Sequence, residues 1–201
     1  MEVAYLKADK LVIPKLGDRH DQFGKITKDL YYLKWREVVE ARLMMSGLVN
    51  LEGEQGLSAV DCYVATKLLQ AVPEYIAIGM EHLCSTTEVL QKLDERFWKL
   101  SVSRQQDEYK RCMNLVINDS ALIPGYVEQL VVRFGLFSSK AFTRDLSVIE
   151  QDLLGAADKQ IYRFPSRVSK ESGGTKFLGG VMSLSELLVR IHQHISENRV
   201  W

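Results

Sequence analysis

The sequence predicts an all-α fold, and two observations carry this prediction. Apolar residues recur at three- and four-residue steps along most of the chain, which places them on one face of each helix. Residues typical of helix ends lie between these periodic segments, including Gly47 after one of them and Pro73 at the start of another. Runs that favour strands are short and lie at 3–7 and 11–13, so they predict only a short N-terminal extended arm or hairpin.

The helices are predicted to form two small domains. A chain of 201 residues has room for two domains of roughly 100 residues each. The polar stretch at 99–104 separates two sets of periodic segments, so we place the domain boundary there. The first domain is predicted to span residues 1–101 and the second residues 102–201. A short linker at the boundary would allow the two domains to adjust their angle.

Four or five helices are predicted in the first half, and four of them have clear ends. The first runs from about Asp29 to a C-cap at Gly47. The second begins at Ser58 and ends before Pro73, which opens the third helix at its first position. Ser85 is the expected N-cap of the fourth, with a glutamate three residues later completing a capping box. The residues predicted to lie in the core of this half are Trp35, Leu90, Leu93 and Phe97.

A second set of helices is predicted after the boundary. Ser103 is the expected cap of its first helix, and Gly155 weakens a later one. The last helix opens at Ser183, after a Gly/Ser-rich loop at 165–182 that is expected to be mobile. The residues predicted to lie in the core of this half are Tyr126, Leu130 and Phe134.

The charge and hydropathy of the chain disfavour nucleic-acid and membrane proteins. Lys and Arg together number 26, as do Asp and Glu, so the formal net charge is zero and gives no long-range attraction to nucleic acid. No apolar run approaches the roughly 20 residues that a membrane span needs. The N-terminus carries neither a signal-peptide pattern nor the glycine that myristoylation requires. We therefore expect no membrane partner and a cytosolic or nuclear location.

The three cysteines are predicted to be structural. Cys62, Cys84 and Cys112 are widely spaced, and their odd number argues against a disulfide framework. Small buried apolar residues are the expected role for all three. This usage is typical of a reducing compartment.

The sequence predicts no catalytic, cofactor-binding or metal-binding residues, and hence no enzyme. His192 and His194 are two positions apart on a predicted helix, where their side chains diverge. The spacing of glycines at 173–180 does not match a phosphate-binding loop between a strand and a helix. The acidic pairs of the first half are explained by solvation of a helix surface or a loop.

The order of motifs in the first half resembles the Gag capsid region of copia-like LTR retrotransposons. That family has an Ile-Pro-Lys-Leu-like lead-in, which is similar to residues 13–16, and a Tyr-x-x-Trp that opens its first long helix, similar to residues 32–35. A Gly-Leu turn ends that helix, as at 47–48, and a later helix of the family is similar to residues 86–97. The sequence differs from the family in an extra segment at 17–30.

The resemblance continues through the second half and covers residues 11 to 195. The passage MNLVINDSALIPGYVEQLVVRF is similar to one in the family that carries an aromatic residue where Tyr126 stands. Leu90 occupies a position where tryptophan is common in the family. One family motif of the second half is matched only in part, by Leu153 and Leu154. Both an element's own capsid protein and a domesticated Gag-derived protein are consistent with this pattern.

The resemblance implies a structural protein rather than a catalyst. Its two helical domains, similar to capsid N- and C-terminal domains, would assemble into cytoplasmic virus-like particles that package retrotransposon RNA. Its partner would be itself, through ring and two-fold contacts, and element RNA would bind through segments outside this chain. The alternative is a helical adaptor that binds a partner protein in a groove without forming a shell. A third reading is a helical enzyme whose site has no recognisable sequence motif.

Overall fold

The computed structural model describes residues 2–21, 24–48, 58–164 and 183–198, and it confirms an all-α fold. The chain divides into two compact units, residues 1–104 and 105–201. The division falls inside one helix, α5 (Thr86–Asn114). The assignment of capsid domains at 1–101 and 102–201 stays a prediction.

The first unit combines helices with one antiparallel hairpin. In the hairpin, Arg19 lies opposite Ile26 and Asp21 lies opposite Gly24. Within the described residues, the elements of this unit are α1 (Glu2–Lys10), β1 (Arg19–Asp21), β2 (Gly24–Ile26), α2 (Lys28–Ser46), α3 (Ser58–Ala71), α4 (Glu74–Ala77) and the first part of α5.

Helix α2 begins and ends at well-defined caps. The Thr27 side chain accepts a hydrogen bond from the Leu30 N–H at 3.3 Å, which satisfies one of the free donors of the first turn. Gly47 has a φ of +66° and its N–H donates to the carbonyls of Leu43 and Met44. Because this left-handed conformation favours glycine, the predicted C-cap at Gly47 is confirmed.

An aromatic cluster lies at the centre of the first unit. The rings of Tyr32 and Trp35 stack with centroids 5.9 Å apart, and Phe97 from α5 approaches Tyr32 at 5.0 Å. Trp35 is fully buried, and its indole N–H donates to the carbonyl of Pro14. The aromatic cluster therefore joins α2 to α5 and to the segment that precedes the hairpin.

The prediction of an extended N-terminal arm is wrong for residues 2–10, which form α1. Ala8 is buried where α1 packs against α3. The ammonium group of Lys67 on α3 donates to the carbonyls of Ala8, Asp9 and Leu11, and so satisfies the C-terminal end of α1. Val3 and Tyr5 favour a strand locally, but most residues of this segment are good helix formers, and these tertiary contacts hold the helix in place. A hairpin does form, but later, at residues 19–26.

The prediction of a short linker between helices at 99–104 is also wrong. These residues lie inside α5, and Ser103 is an interior residue of that helix rather than its cap. One polar side chain of this stretch and one just after it are buried and hydrogen-bonded. The Ser101 hydroxyl accepts from the Leu33 N–H, while the Gln105 side chain donates to the Leu136 carbonyl and accepts from the Ser138 N–H. Their polarity serves interior hydrogen bonds and not solvent exposure.

The helix predicted to open at Pro73 is shorter than expected. Pro73 is the N-cap residue of α4, which spans only four residues, Glu74–Ala77. Gly79 follows with a φ of +86°, a conformation that ends a helix. Turns then continue to the start of α5, where the Ser85 carbonyl accepts from the Val89 N–H.

The second unit is a helical bundle around one core. Within the described residues, its elements are the last part of α5, a 3₁₀ turn (Ser120–Leu122), α6 (Ile123–Phe134), a 3₁₀ turn (Ser139–Ala141), α7 (Leu146–Arg163) and α8 (Leu184–Asn198). Helix α6 packs against both α7 and α8. Gly155 lies inside α7 without interrupting it. The loop predicted at 165–182 lies outside the described residues.

Two glycines in different backbone conformations allow a matched test of the cap at Gly47. Gly47→Ala is expected to destabilise the protein by about 1 kcal/mol, because alanine is strained at a φ of +66°. Gly155→Ala is expected to stabilise it by roughly 0.5–1 kcal/mol, because Gly155 is an exposed helix residue with open space at its Cβ position. Chemical denaturation of both variants measures the two shifts. Equal effects of the same sign would contradict the cap at Gly47.

Candidate interaction surface

Helix α1 leaves its three large apolar side chains exposed. Ala8 is its only buried residue, whereas Val3 is 66% exposed, Leu6 is 56% exposed and Tyr5 is 39% exposed. Large apolar side chains grouped on one helix mark a surface that gains free energy when another surface covers it.

Tyr63 on α3 extends this apolar surface. Its ring lies 6.4 Å from that of Tyr5, and its hydroxyl donates to the Asp9 carboxylate at 3.0 Å. That hydrogen bond raises the pKa of Tyr63, so the phenol stays protonated at neutral pH. A shallow hollow of about 310 Å³ lies among Glu2, Tyr5, Leu6, Asp9 and Tyr63. We call the set Tyr5, Leu6 and Tyr63 the α1 surface.

The C-terminal end of α2 lies beside α1. Arg42 donates to the carbonyl of Val12, just beyond α1, and the Lys7 ammonium lies 3.6 Å from the Cβ position of Gly47. Met44 and Met45 are exposed at this end of α2, Met45 to 88%. Flexible methionine side chains adapt to partners of different shape, so this end of α2 adds contact area next to the α1 surface.

A larger open hollow lies elsewhere in the first unit. It has a volume of about 730 Å³, and its apolar lining includes Leu16, Leu69 and Val72. Its charged lining residues are Lys15, Glu74 and Glu81, and the Glu81 carboxylate already accepts from the Gly79 N–H at 2.7 Å. A volume of this size accommodates a small molecule or the side chains of a partner segment.

Two tyrosines are held in polar networks that stabilise helix packing. Tyr32 donates to Asp94, which also pairs with Arg36 at 3.4 Å. Burial, and then the hydrogen bond to Asp94, hold the pKa of Tyr32 well above its usual value. In the second unit, burial and the Asp152 carboxylate raise the pKa of Tyr109. Both phenols are therefore protonated hydrogen-bond donors at neutral pH and not general bases.

The residues predicted to form the core occupy mostly buried positions. In the first unit these are Trp35, Leu90, Leu93 and Phe97, and in the second Tyr126 and Leu130. Phe134 differs because it is only partly buried and packs against the edge of the second core. Its ring makes an edge-on contact with Phe137, which is almost fully buried at the same place.

The prediction that all three cysteines are buried is wrong for two of them. Cys112 is 1% exposed, but Cys62 is partly exposed and Cys84 is exposed. The neighbouring Cys84 thiol raises the pKa of the Cys62 thiol, so the fold brings these two residues close together. Sequence spacing gave no signal for this pair, since the two residues lie on different elements that only the fold brings together.

Across 2–21, 24–48, 58–164 and 183–198, no group of three His, Cys, Asp or Glu residues could hold a metal ion. In the same part of the chain, no helix is both long and apolar enough to cross a membrane.

None of the known protein families, curated proteins or solved structures with which the chain was compared matches it.

Proposed function

We propose that this chain is a structural Gag capsid protein that self-associates through the α1 surface. The observation that carries this proposal is the exposure of Tyr5 and Leu6, beside Tyr63, on a helix that buries only Ala8. Complete burial of a fully exposed side chain of this size stabilises an interface by roughly 1.5–3 kcal/mol. These side chains are already partly covered and contribute correspondingly less. A few such side chains give each contact a modest affinity.

A second copy of the chain is the partner that the charge balance favours. The formal net charge is zero, so two copies approach each other without long-range repulsion. Around the hollow of the α1 surface, the charged residues are acidic, Glu2 and Asp9, whereas Lys7 and Lys10 lie on the same helix. Both signs of charge are therefore present on α1, as a contact between two copies requires.

The capsid identity itself rests on the sequence resemblance to copia-like Gag proteins. The division into two compact helical units supports it, because each unit can present its own contacts between copies. Many weak contacts, repeated by symmetry, would close a cytoplasmic virus-like particle. Retrotransposon RNA would be packaged through segments outside this chain. The proposed function involves no catalytic reaction.

The alternative function is a helical adaptor, and the 730 Å³ hollow favours it. Its apolar lining, with Lys15, Glu74 and Glu81 among the lining residues, suits a partner segment that carries an apolar anchor and a charge. An adaptor of this kind would bind one partner and would not grow into larger assemblies.

The α1 surface is tested by one charged substitution. Leu6→Glu places a carboxylate within the apolar contact and is expected to weaken self-association by roughly tenfold or more. Because Leu6 is 56% exposed, the thermal midpoint of the variant should remain close to that of the unaltered protein. Light scattering at matched concentrations measures the average mass of both proteins.

Gln91→Glu is the matched control, since it adds the same charge at an exposed position of α5. The control should associate like the unaltered protein. Loss of association in both variants would assign the effect to net charge instead. Association that persists in the Leu6→Glu variant would show that the α1 surface is not the contact.

A further inference from the structure

Two cysteines lie near each other, one at the start of α3 and the other in the turn that precedes α5. Cys62 lies in the second turn of α3 and Cys84 lies two residues before α5. Neither forms a disulfide in this structure, and the neighbouring Cys84 thiol raises the pKa of the Cys62 thiol. Cys84 is exposed and Cys62 is partly exposed, so small reactants can reach the pair.

Neighbouring hydrogen bonds hold the two cysteines together. The Thr86 N–H donates to the Asp61 carboxylate at 3.1 Å, and the Thr86 hydroxyl donates to the Asp61 carbonyl at 3.4 Å. Both Asp61 and Thr86 are buried. Because Cys62 directly follows Asp61 and Cys84 shortly precedes Thr86, this double contact fixes the backbone on either side of the thiols. The fold itself therefore places the two cysteines near each other.

We propose that Cys62 and Cys84 form a redox site that closes to an intramolecular disulfide when the protein meets a hydroperoxide. The closed form would join the start of α3 to the start of α5 by a covalent bond. Tyr63 of the α1 surface immediately follows Cys62, so the bond would also fix the end of α3 that carries this surface.

The chemistry has two steps with hydrogen peroxide as the oxidant. The Cys84 sulfur attacks the peroxide, the O–O bond breaks, and Cys84 sulfenic acid and one water form. The Cys62 sulfur then attacks the Cys84 sulfur, the S–O bond breaks, and the hydroxide leaves as a second water with the Cys62 proton. Two thiols lose two electrons and two protons in total, and the peroxide becomes two waters.

The environments of the three thiols assign these roles. The neighbouring Cys84 thiol, and then burial, raise the pKa of Cys62, which leaves the more exposed Cys84 as the first to react. Burial raises the pKa of Cys112 to about 11, so Cys112 stays a thiol. Cys112 therefore serves as an internal reference for unselective oxidation.

Peptide mapping of the oxidised full-length chain tests the proposal. Trypsin cleaves after Lys67, which separates the peptides 43–67 and 68–92, while Cys112 falls in the peptide 112–133. After treatment with hydrogen peroxide and digestion without reductant, we expect 43–67 and 68–92 to be joined with the loss of two hydrogens. Dithiothreitol should separate them again, and 112–133 should retain its thiol.

Two variants and a melting experiment complete the test. Cys112→Ala should form the same linked peptides, whereas Cys84→Ser should form none. The disulfide should raise the thermal midpoint of the unaltered protein by roughly 5 °C or more, because it reduces the conformational entropy of the unfolded chain. A link between Cys84 of two different chains, or sulfinic acid at Cys84 without a link, would overturn the proposal. Peptide mapping of the unaltered chain distinguishes these outcomes even if a variant fails to fold.

Discussion

Trp35→Ala is expected to lower the free energy of unfolding by about 3–5 kcal/mol, one of the two largest effects that we predict. The Trp35 ring is fully buried and stacks on Tyr32. Its truncation leaves a cavity at the centre of the first unit and removes the hydrogen bond to the Pro14 carbonyl. That bond joins the segment before the hairpin to α2, so the substitution also loosens this segment.

Denaturant unfolding measured by circular dichroism gives the size of the effect. Trp98→Ala is the matched control, because Trp98 lies on α5 and is 36% exposed. We expect this substitution to lower the free energy of unfolding by about 1 kcal/mol or less. Trp35→Phe should cost less than Trp35→Ala, since it retains an aromatic ring but loses the indole donor. Equal stability of the Trp35→Ala and Trp98→Ala variants would contradict the central place of Trp35.

Glu108→Gln is expected to destabilise the second unit by about 3 kcal/mol. The guanidinium of Arg133 is almost fully buried, and its Nε lies 3.2 Å from a carboxylate oxygen of Glu108. The substitution conserves the shape of Glu108 but removes its charge. Arg133 then keeps a buried positive charge without this carboxylate, which is costly because the interior solvates the charge poorly.

Arg133→Met should lower the free energy of unfolding by about 1–2 kcal/mol, which is less than the effect of Glu108→Gln. Glu108 is partly exposed and keeps its contacts with Arg111, whose Nε donates to it at 3.0 Å. The double variant should therefore be more stable than the sum of the two single effects implies. Urea unfolding of all three variants completes the cycle. Strict additivity would show that Glu108 and Arg133 do not stabilise each other.

Elements whose signals are local could be predicted from the sequence. Helix α2 has an apolar stripe and a glycine just after its end, and the structure has α2 at Lys28–Ser46 with its C-cap at Gly47. The fourth predicted helix begins where α5 does, one residue after Ser85. In both cases periodicity and end residues act within one segment, so no knowledge of tertiary contacts was needed.

Elements that depend on distant contacts could not be predicted. Helix α1 is held by Lys67, which is remote in sequence, and Val3 and Tyr5 gave residues 3–7 the pattern of a strand although most residues of α1 are good helix formers. The continuity of α5 through 99–104 depends on interior partners for Ser101 and Gln105. A single sequence cannot distinguish a polar residue that is buried with a partner from one that faces solvent.

The candidate surface and the thiol pair were missed for the same reason. Tyr5 and Leu6 read as ordinary apolar residues until the fold shows that only Ala8 of α1 is buried. Cys62 and Cys84 carry no spacing motif, and the contact between Asp61 and Thr86 is what brings them together. Which side chains remain outside a core is a property of the packed structure and not of local periodicity.

Self-association is the central claim, and sedimentation velocity of the full chain tests it most directly. The protein should be measured over a wide range of concentration at low and high salt, with electron micrographs of the largest species. We expect the average sedimentation coefficient to rise with concentration and closed particles to appear, because repeated weak contacts become effective together. High salt should favour these species, since it strengthens apolar burial. A single monomeric boundary under every condition would contradict the capsid proposal.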